Sequence, residues 1–290
     1  MLNPDDKFMN SSGCWCASEK QLDELYNTNL NNIITKTCTL LSKKGNEEPT
    51  YFKLDGVHLN SKGLPNEGYF YYKKLYEKYS QTKKKFILSV AWEHNENNTI
   101  ELLNDYDNFI QKNELVELNL SCPNLEKEIP SYNPFVLEKI IKKINSSDFK
   151  RIFFSLKLSP YLDHSLCDNI INLINNNNEK NIIKYIVLSN SIPNCLILNG
   201  NKSVLSNTYG GLSGKLNKFI SLSNVHYFRN KLDKNIRIIG CGGIDNIEDI
   251  NEYLNNGADY VQFGSCFYNN KSNSLEYNKI NSVIYTFQNL

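Results

Sequence analysis

The sequence predicts a (β/α)8 barrel, an α/β fold in which residues 1–290 form a single domain. Three observations carry that prediction. Short apolar or β-branched runs alternate eight times with stretches of helical periodicity, in units of roughly 25–40 residues. No linker or shift of composition divides the chain. The polar residues with chemistry to offer fall just past the strands, where barrel enzymes keep their active sites.

Taken in order, Lys7-Phe8-Met9-Asn10 is a short strand that runs into Ser11-Ser12-Gly13. Ser18 is placed to cap a helix built on Leu22 and Leu25. The β-branched run Ile33-Ile34-Thr35-Lys36-Thr37 is the second strand and carries a lysine at its end. A long loop, 40–67, follows; loops of that length inside compact domains usually serve function. Residues 68–79 read as a helix and 86–91 as a strand. A helix at 97–112 sets Ile100, Leu103, Tyr106 and Ile110 at helical spacing. The strand at 115–120 ends in Ser121-Cys122-Pro123-Asn124, and a helix covers 133–145. The strand 152–157 again ends in lysine. A helix at 163–175 runs into the tract Asn175-Asn176-Asn177-Asn178, read as a solvated helix end and loop. Strand 185–188 ends in Ser189-Asn190-Ser191, and a second long loop, 192–210, leads to Gly210-Gly211-Leu212-Ser213-Gly214. Helix 216–231, strand 236–239, helix 246–256, strand 260–263 and a helix over most of 274–288 complete the pattern.

Composition narrows the function. A net charge of +1 gives no footprint for nucleic acid or an acidic surface. The eight cysteines form no CxxC pair, Cys14 and Cys16 are too close for a zinc knuckle, and the four histidines lack metal-ligand spacing. Scattered cysteines behind a polar, charged N-terminal stretch, with no signal peptide, point to a reducing, cytoplasmic compartment. No apolar run approaches the length of a membrane span. Asparagine is heavily used throughout, which lowers the weight of any single exposed one.

The strand ends carry the functional signal. Cys122 sits where a barrel places its chemistry and is a candidate catalytic group; the alternative is a buried free thiol, the commoner fate of cysteine. Lys36 and Lys157 are poor core residues, because an unpaired buried ammonium is costly. Either their heads reach solvent at the rim, or they face an anionic ligand or a flavin, whose reduced ring gains negative charge that a cation stabilises. Gly242-Gly243 and Gly264-Ser265 end the last two strands, where barrels commonly bind phosphate through backbone N–H groups and a helix N-terminus.

These motifs together resemble the dihydroorotate dehydrogenase family, in its soluble, fumarate-using class 1A branch. The matching residues are Phe8-Met9-Asn10-Ser11-Ser12-Gly13, Thr35 to Leu40, Gly45 to Pro49, Asn60-Ser61-Lys62-Gly63-Leu64-Pro65-Asn66, Asn119 to Asn124, Lys157 to Tyr161, Asn190-Ser191-Ile192, Gly210 to Lys215 and Gly240 to Ile244, in family order. The resemblance implies FMN as cofactor. Ser12, Gly13, Lys36, Thr37, Asn119, Lys157 and Ser189 would contact the ring and ribityl parts, and Gly214, Gly242, Gly243, Gly264 and Ser265 the phosphate. It implies that Lys36, Asn60, Gly63, Leu64, Asn119, Asn124, Asn190 and Ser191 surround dihydroorotate, whose imide groups suit asparagine amides that both donate and accept. Cys122 would be the general base, with Lys36 and Lys157 completing the catalytic set. Membrane-bound relatives use serine at the Cys122 position. Fumarate would reoxidise FMN in the same site, and the enzyme would be a cytoplasmic homodimer with no metal.

The chain departs from that pattern in several places. It begins and ends short of the usual family length, an expectation that touches stability and dimer geometry. Lys62 replaces an apolar residue of the substrate loop; the reading is a side chain pointing to solvent, with an altered hold on the substrate carboxylate as the alternative. The expected lid, Leu125 to Pro130, lacks a glycine. Leu205 to Tyr209 lacks a basic residue, and Trp92-Glu93-His94 reads as outer surface or dimer contact. Two other functions stay open: an FMN oxidoreductase acting on another dihydropyrimidine, and a flavin-binding pseudoenzyme.

Overall fold

The computed structural model describes residues 1–121, 128–269 and 274–289. In chain order, β1 (Phe8–Asn10) and β2 (Asn32–Ile34) are followed by a hairpin, β3 (Tyr51–Leu54) and β4 (Val57–Asn60). Then come β5 (Lys85–Ala91), β6 (Glu114–Asn119), β7 (Ile152–Lys157) and β8 (Ile183–Leu188). Four short strands follow, β9 (Ile192–Cys195), β10 (Leu198–Asn199), β11 (Lys202–Ser203) and β12 (Gly210–Gly214). β13 (Arg237–Cys241) and β14 (Tyr260–Phe263) complete the set that closes, and a small pair, β15 (Tyr268–Asn269) and β16 (Ser274–Leu275), lies beyond it. The closed order is β1-β14-β13-β8-β7-β6-β5-β2, and each neighbouring pair runs parallel. This is the (β/α)8 barrel that the alternation predicts.

One helix follows each barrel strand: α1 (Glu19–Tyr26), α2 (Tyr69–Tyr79), α3 (Glu96–Phe109), α4 (Pro134–Ser146), α5 (His164–Asn177), α6 (Lys215–Arg229), α7 (Ile247–Asn255) and α8 (Tyr277–Gln288). Local chemistry sets their starts. The Ser18 hydroxyl accepts from Gln21 N–H at 3.3 Å, as predicted, and Asn246 with Asp249 forms a capping box on α7. The last helix, Tyr277–Gln288, covers most of 274–288 as expected, and β16 takes up Ser274 and Leu275. Among the described residues no helix is long and apolar enough to cross a membrane.

The period-2 alternation of the strands sorts their side chains between two cores. Phe86, Leu88 and Val90 point outward to the helices, as do Val116, Leu118, Phe154 and Leu156. Ile87, Leu115, Tyr185, Val187, Ile239 and Tyr260 point inward and fill the lower half of the barrel. Leu2 plugs this end: its N–H donates to the Tyr185 hydroxyl at 2.9 Å, and its side chain joins the inner cluster. One step higher the inward positions turn polar, with Ser89 beside Glu117 and Glu117 beside Ser155 in register. One step higher again, Asn119 lies beside Lys157. The same alternation that builds the core therefore delivers the site.

Both long loops depart from the sequence expectation, because each contains strands. β3 and β4 form a hairpin turned by Asp55 (φ +46°) and Gly56 (φ +81°), the left-handed pair of a two-residue turn. Across the barrel mouth β4 pairs with β12, Asn60 opposite Gly211 and Val57 opposite Gly214. With β9 they make an antiparallel cap sheet in the order β3-β4-β12-β9. The partners are remote in sequence, so periodicity within either loop does not reveal them. Trp92, expected at the surface, is instead 8% exposed in the outer core, while His94 is exposed as expected.

Candidate active site

A cavity of about 600 Å³ opens between the carboxyl ends of the barrel strands and the cap sheet. That is a size usual for a small-molecule or cofactor site. The segment after β1 brings Ser12 and Gly13 to its wall, and the end of β2 brings Lys36 and Thr37. The end of β4 and the loop after it supply Asn60, Gly63 and Leu64, β6 and β7 supply Asn119 and Lys157, and the end of β8 supplies Ser189, Asn190 and Ser191. Gly214, Gly242, Gly243, Gly264 and Ser265 close the far side. The structure thus gathers into one cavity every predicted site residue that it describes. Cys122 and Asn124 lie outside the described residues, as does the lid segment 125–127.

The floor is a connected polar network. Lys157 Nζ donates to Gln262 Oε1 at 3.1 Å and stands 4.0 Å from Glu117 Oε1. Gln262 Nε2 donates to Glu117 Oε2 at 2.6 Å. The Ser89 hydroxyl donates to Glu117 Oε1 at 3.4 Å and shares a 2.9 Å bond with the Thr37 hydroxyl. Asn119 Nδ2 reaches the same Thr37 oxygen at 3.4 Å. On its other side, Asn119 Oδ1 accepts from the Ser121 hydroxyl at 3.0 Å and from Asn190 Nδ2 at 3.4 Å. These bonds fix which way each amide presents its donor and acceptor.

Lys36 and Lys157 are both buried, so the rim-snorkelling alternative fails for both. Burial opposes the Lys157 ammonium, yet nearby acidic groups, Cys241 and Glu117 first, outweigh it and raise the group. Burial pushes the Cys16 thiol up to about 12 and raises that of Cys241.

The wall opposite the floor is held by the loop after β4 and the cap sheet. Gly63 (φ +71°) and Leu64 (φ +56°) both take the left-handed conformation, which a leucine adopts only under constraint. Asn66 provides it: Oδ1 accepts from Gly68 N–H at 2.9 Å, and Nδ2 donates to Leu64 O at 2.9 Å. Asn60 Nδ2 donates across the cap to Gly211 O at 3.1 Å. Lys62 does not simply point to solvent. It is half-buried on the cavity wall, with Nζ 5.6 Å from the Tyr51 ring centre, and Tyr51 hydrogen-bonds His58 Nδ1.

The glycine side of the cavity is crowded. A Cβ on Gly243 (φ +63°) would lie 2.7 Å from Gly214 O, and one on Gly214 (φ +87°) would lie 2.1 Å from Gly56 O. Side chains are excluded there, and α6 begins at Lys215, just after the cavity-lining Gly214. Nearby, Asn217 Nδ2 donates to Asn190 O at 3.1 Å, while its buried Oδ1 has no partner among the described residues.

Glu117, Gln262, Ser121 and Asn217 escaped the sequence reading. Glu117 was visible in principle, as a charge inside the run Leu115-Val116-Glu117-Leu118. Asp55-Gly56 was an equally legible hairpin signal.

Comparison with known proteins agrees with this architecture. A family model described as dihydroorotate dehydrogenase matches residues 2–283. A dihydroorotate dehydrogenase (fumarate) of Lachancea kluyveri is 36% identical over 272 residues, covering 91% of this chain and 84% of that protein. One of Saccharomyces cerevisiae is 32% identical over 271 residues, 90% and 83% respectively. A putative dihydroorotate dehydrogenase A (fumarate) of Streptococcus agalactiae is 34% identical over 266 residues, 90% and 83%. Among solved structures, a DHODH from Eimeria tenella in complex with ferulenol superposes with a TM-score of 0.75 at 19% identity, covering 98% of this chain and 81% of that one; it supports the fold.

Proposed function

The chain belongs to the dihydroorotate dehydrogenase family, and from that premise we propose that it oxidises (S)-dihydroorotate to orotate in pyrimidine biosynthesis, with FMN as cofactor and fumarate as electron acceptor. The observation that carries this reading is the convergence of the predicted residues on one cavity whose floor holds a buried cation.

The residues present fit FMN. The glycine side leaves room for backbone but not side chains, as a phosphate cradle requires. The orphaned acceptor Asn217 Oδ1 suits a ribityl hydroxyl, which is a donor. When bound, FMN would take up the hydride released from C6 of dihydroorotate. Gly214, Gly242, Gly243, Gly264 and Ser265 would hold its phosphate. Ser12, Gly13, Lys36, Thr37, Asn119, Lys157 and Ser189 would hold the remainder.

In this reading Lys36, Asn60, Gly63, Leu64, Asn119, Asn124, Asn190 and Ser191 orient the substrate, their amides matching its alternating N–H and C=O groups. Cys122 removes the C5 proton, so that the C5–H and C6–H bonds break and the C5=C6 double bond forms. A thiol with an ordinary value of about 8.5 acts best above neutral pH. Fumarate then receives two electrons and two protons and leaves as succinate. The same reading takes residues 1–290 as one domain working as a cytoplasmic homodimer, which sedimentation of the purified protein tests.

The functional test is anaerobic. The purified protein should be yellow, bleach with dihydroorotate and recover with fumarate. Cys122→Ala binds FMN normally and slows its reduction by about 10²-fold or more; reduction at the parent rate would remove Cys122 from the role of base. A panel of other dihydropyrimidines that bleach the protein equally well would reassign the substrate.

A further inference from the structure

The floor of the cavity contains a charge that the proposed reaction does not use. Barrel interiors are normally filled by layers of branched aliphatic side chains. Here one layer is Ser89, Glu117, Ser155 and Gln262, all 1% exposed or less. Replacing a buried ion pair by apolar residues of equal volume is often neutral or stabilising, and Ser155 Oγ finds no partner among the described residues. Stability alone gives no reason for this layer.

Its geometry points upward. Gln262 is bonded at both ends, accepting from Lys157 Nζ at 3.1 Å and donating to Glu117 Oε2 at 2.6 Å. The amide therefore relays a fixed dipole from the carboxylate to the ammonium, while the two charges stand 4.0 Å apart. The thiols of Cys241, Cys14 and Cys16 also act on Lys157 electrostatically. Burial raises those of Cys16 and Cys241, so neither supplies an anion at neutral pH. Glu117 is the carboxylate that remains opposite the ammonium among the described residues.

We propose that Glu117 is a positioning residue: through Gln262 it keeps the buried Lys157 ammonium charged and in place at the cavity floor, and thereby sets how strongly a bound flavin favours its reduced form. The inference rests on the FMN reading above. A flavin gains negative charge on reduction, and a fixed cation stabilises that charge. Without the carboxylate, less opposes the desolvation that favours loss of the Lys157 proton.

Anaerobic redox titration of the FMN-loaded protein at a series of pH values tests this. Glu117→Gln is expected to lower the preference for reduced over oxidised FMN about tenfold, or about 30 mV for a two-electron couple. It also introduces a break in the plot of potential against pH that the parent lacks. In a Lys157→Met background, Glu117→Gln produces neither effect. A Glu117→Gln protein with the parent's potential at every pH overturns the proposal, and so does a lowering that persists without Lys157. If Glu117→Gln fails to fold, the double variant Lys157→Met/Glu117→Gln, which buries neither charge, decides. Its folding with FMN bound supports the coupling, and its failure assigns Glu117 a structural role and overturns it. A parent protein that takes up no FMN refutes the functional reading itself, a result distinct from all of these.

Discussion

Gly243→Ala should uncouple cofactor binding from folding. Two penalties act at this position. The left-handed φ of +63° costs an alanine about 1–2 kcal/mol. The added Cβ would also lie 2.7 Å from both Gly214 O and Lys218 Cβ, so the β13–α7 turn and the start of α6 must move apart. Overpacking of that kind costs about 1–3 kcal/mol. Gly200 supplies a matched control, because its φ is +60° and a Cβ there meets nothing within 4 Å. Gly200→Ala therefore carries the backbone penalty alone, lowering the melting temperature by about 2–6 °C, with FMN affinity unchanged. In Gly243→Ala the steric part falls on the two segments assigned to the phosphate. The FMN dissociation constant rises by about 5- to 150-fold, the range that 1–3 kcal/mol spans. Fluorescence titration of apoprotein with FMN, beside thermal unfolding of the same samples, reads both quantities. If Gly243→Ala binds FMN as tightly as Gly200→Ala does, the assignment of this turn to the phosphate is refuted.

Two further outcomes follow from the cap. The half-buried Lys62 ammonium faces the cavity beside Tyr51, so Lys62→Met should raise KM for dihydroorotate and fumarate by about 2- to 5-fold with kcat unchanged, the value of a partly exposed charge contact; an unchanged KM would restrict Lys62 to packing on Tyr51. Burial first, then repulsion from Lys53, depresses the His58 imidazole from 6.5 to about 4. The unfolded chain therefore binds a proton over that interval which the folded one refuses, and the contribution of His58, complete above pH 6.5, is lost as the pH falls towards 4. His58→Gln should flatten the stability profile between those values in urea unfolding series, and a profile parallel to the parent's would contradict the buried neutral imidazole.

What the sequence revealed and what it concealed divide along contact distance. Barrel strands were legible because each is a continuous apolar or β-branched run, and Lys36 and Lys157 stood out because ammonium groups do not belong there. The glycine pairs were legible for the same reason in reverse, as small residues where a side chain would obstruct. Glu117 and Gln262 were not recognised, because strands buried on both faces show no alternation of apolar with polar residues. Only the register of β6 against β7 and β5 turns Glu117 inward beside Ser89 and Ser155. The cap sheet was hidden because β4 and β12 meet across the mouth; Asn60 bonds Gly211 at a separation of 151 positions. Trp92 was misplaced because the three residues 92–94 were read as one unit, whereas the chain passes from core to surface between Trp92 and His94.

That cap has a kinetic consequence. Its central ladder joins segments so distant along the chain that closing it carries a large loop entropy, and it completes late in folding. Contacts completed late tend to be surrendered early, so the amides of β4 and β12 should exchange with solvent as one unit, ahead of the barrel strands beneath. Asn60 sits at one end of this ladder and Gly214 at the other. Opening it therefore releases the proposed substrate side and the proposed phosphate side in a single event, and a ligand that protects either end slows exchange at both.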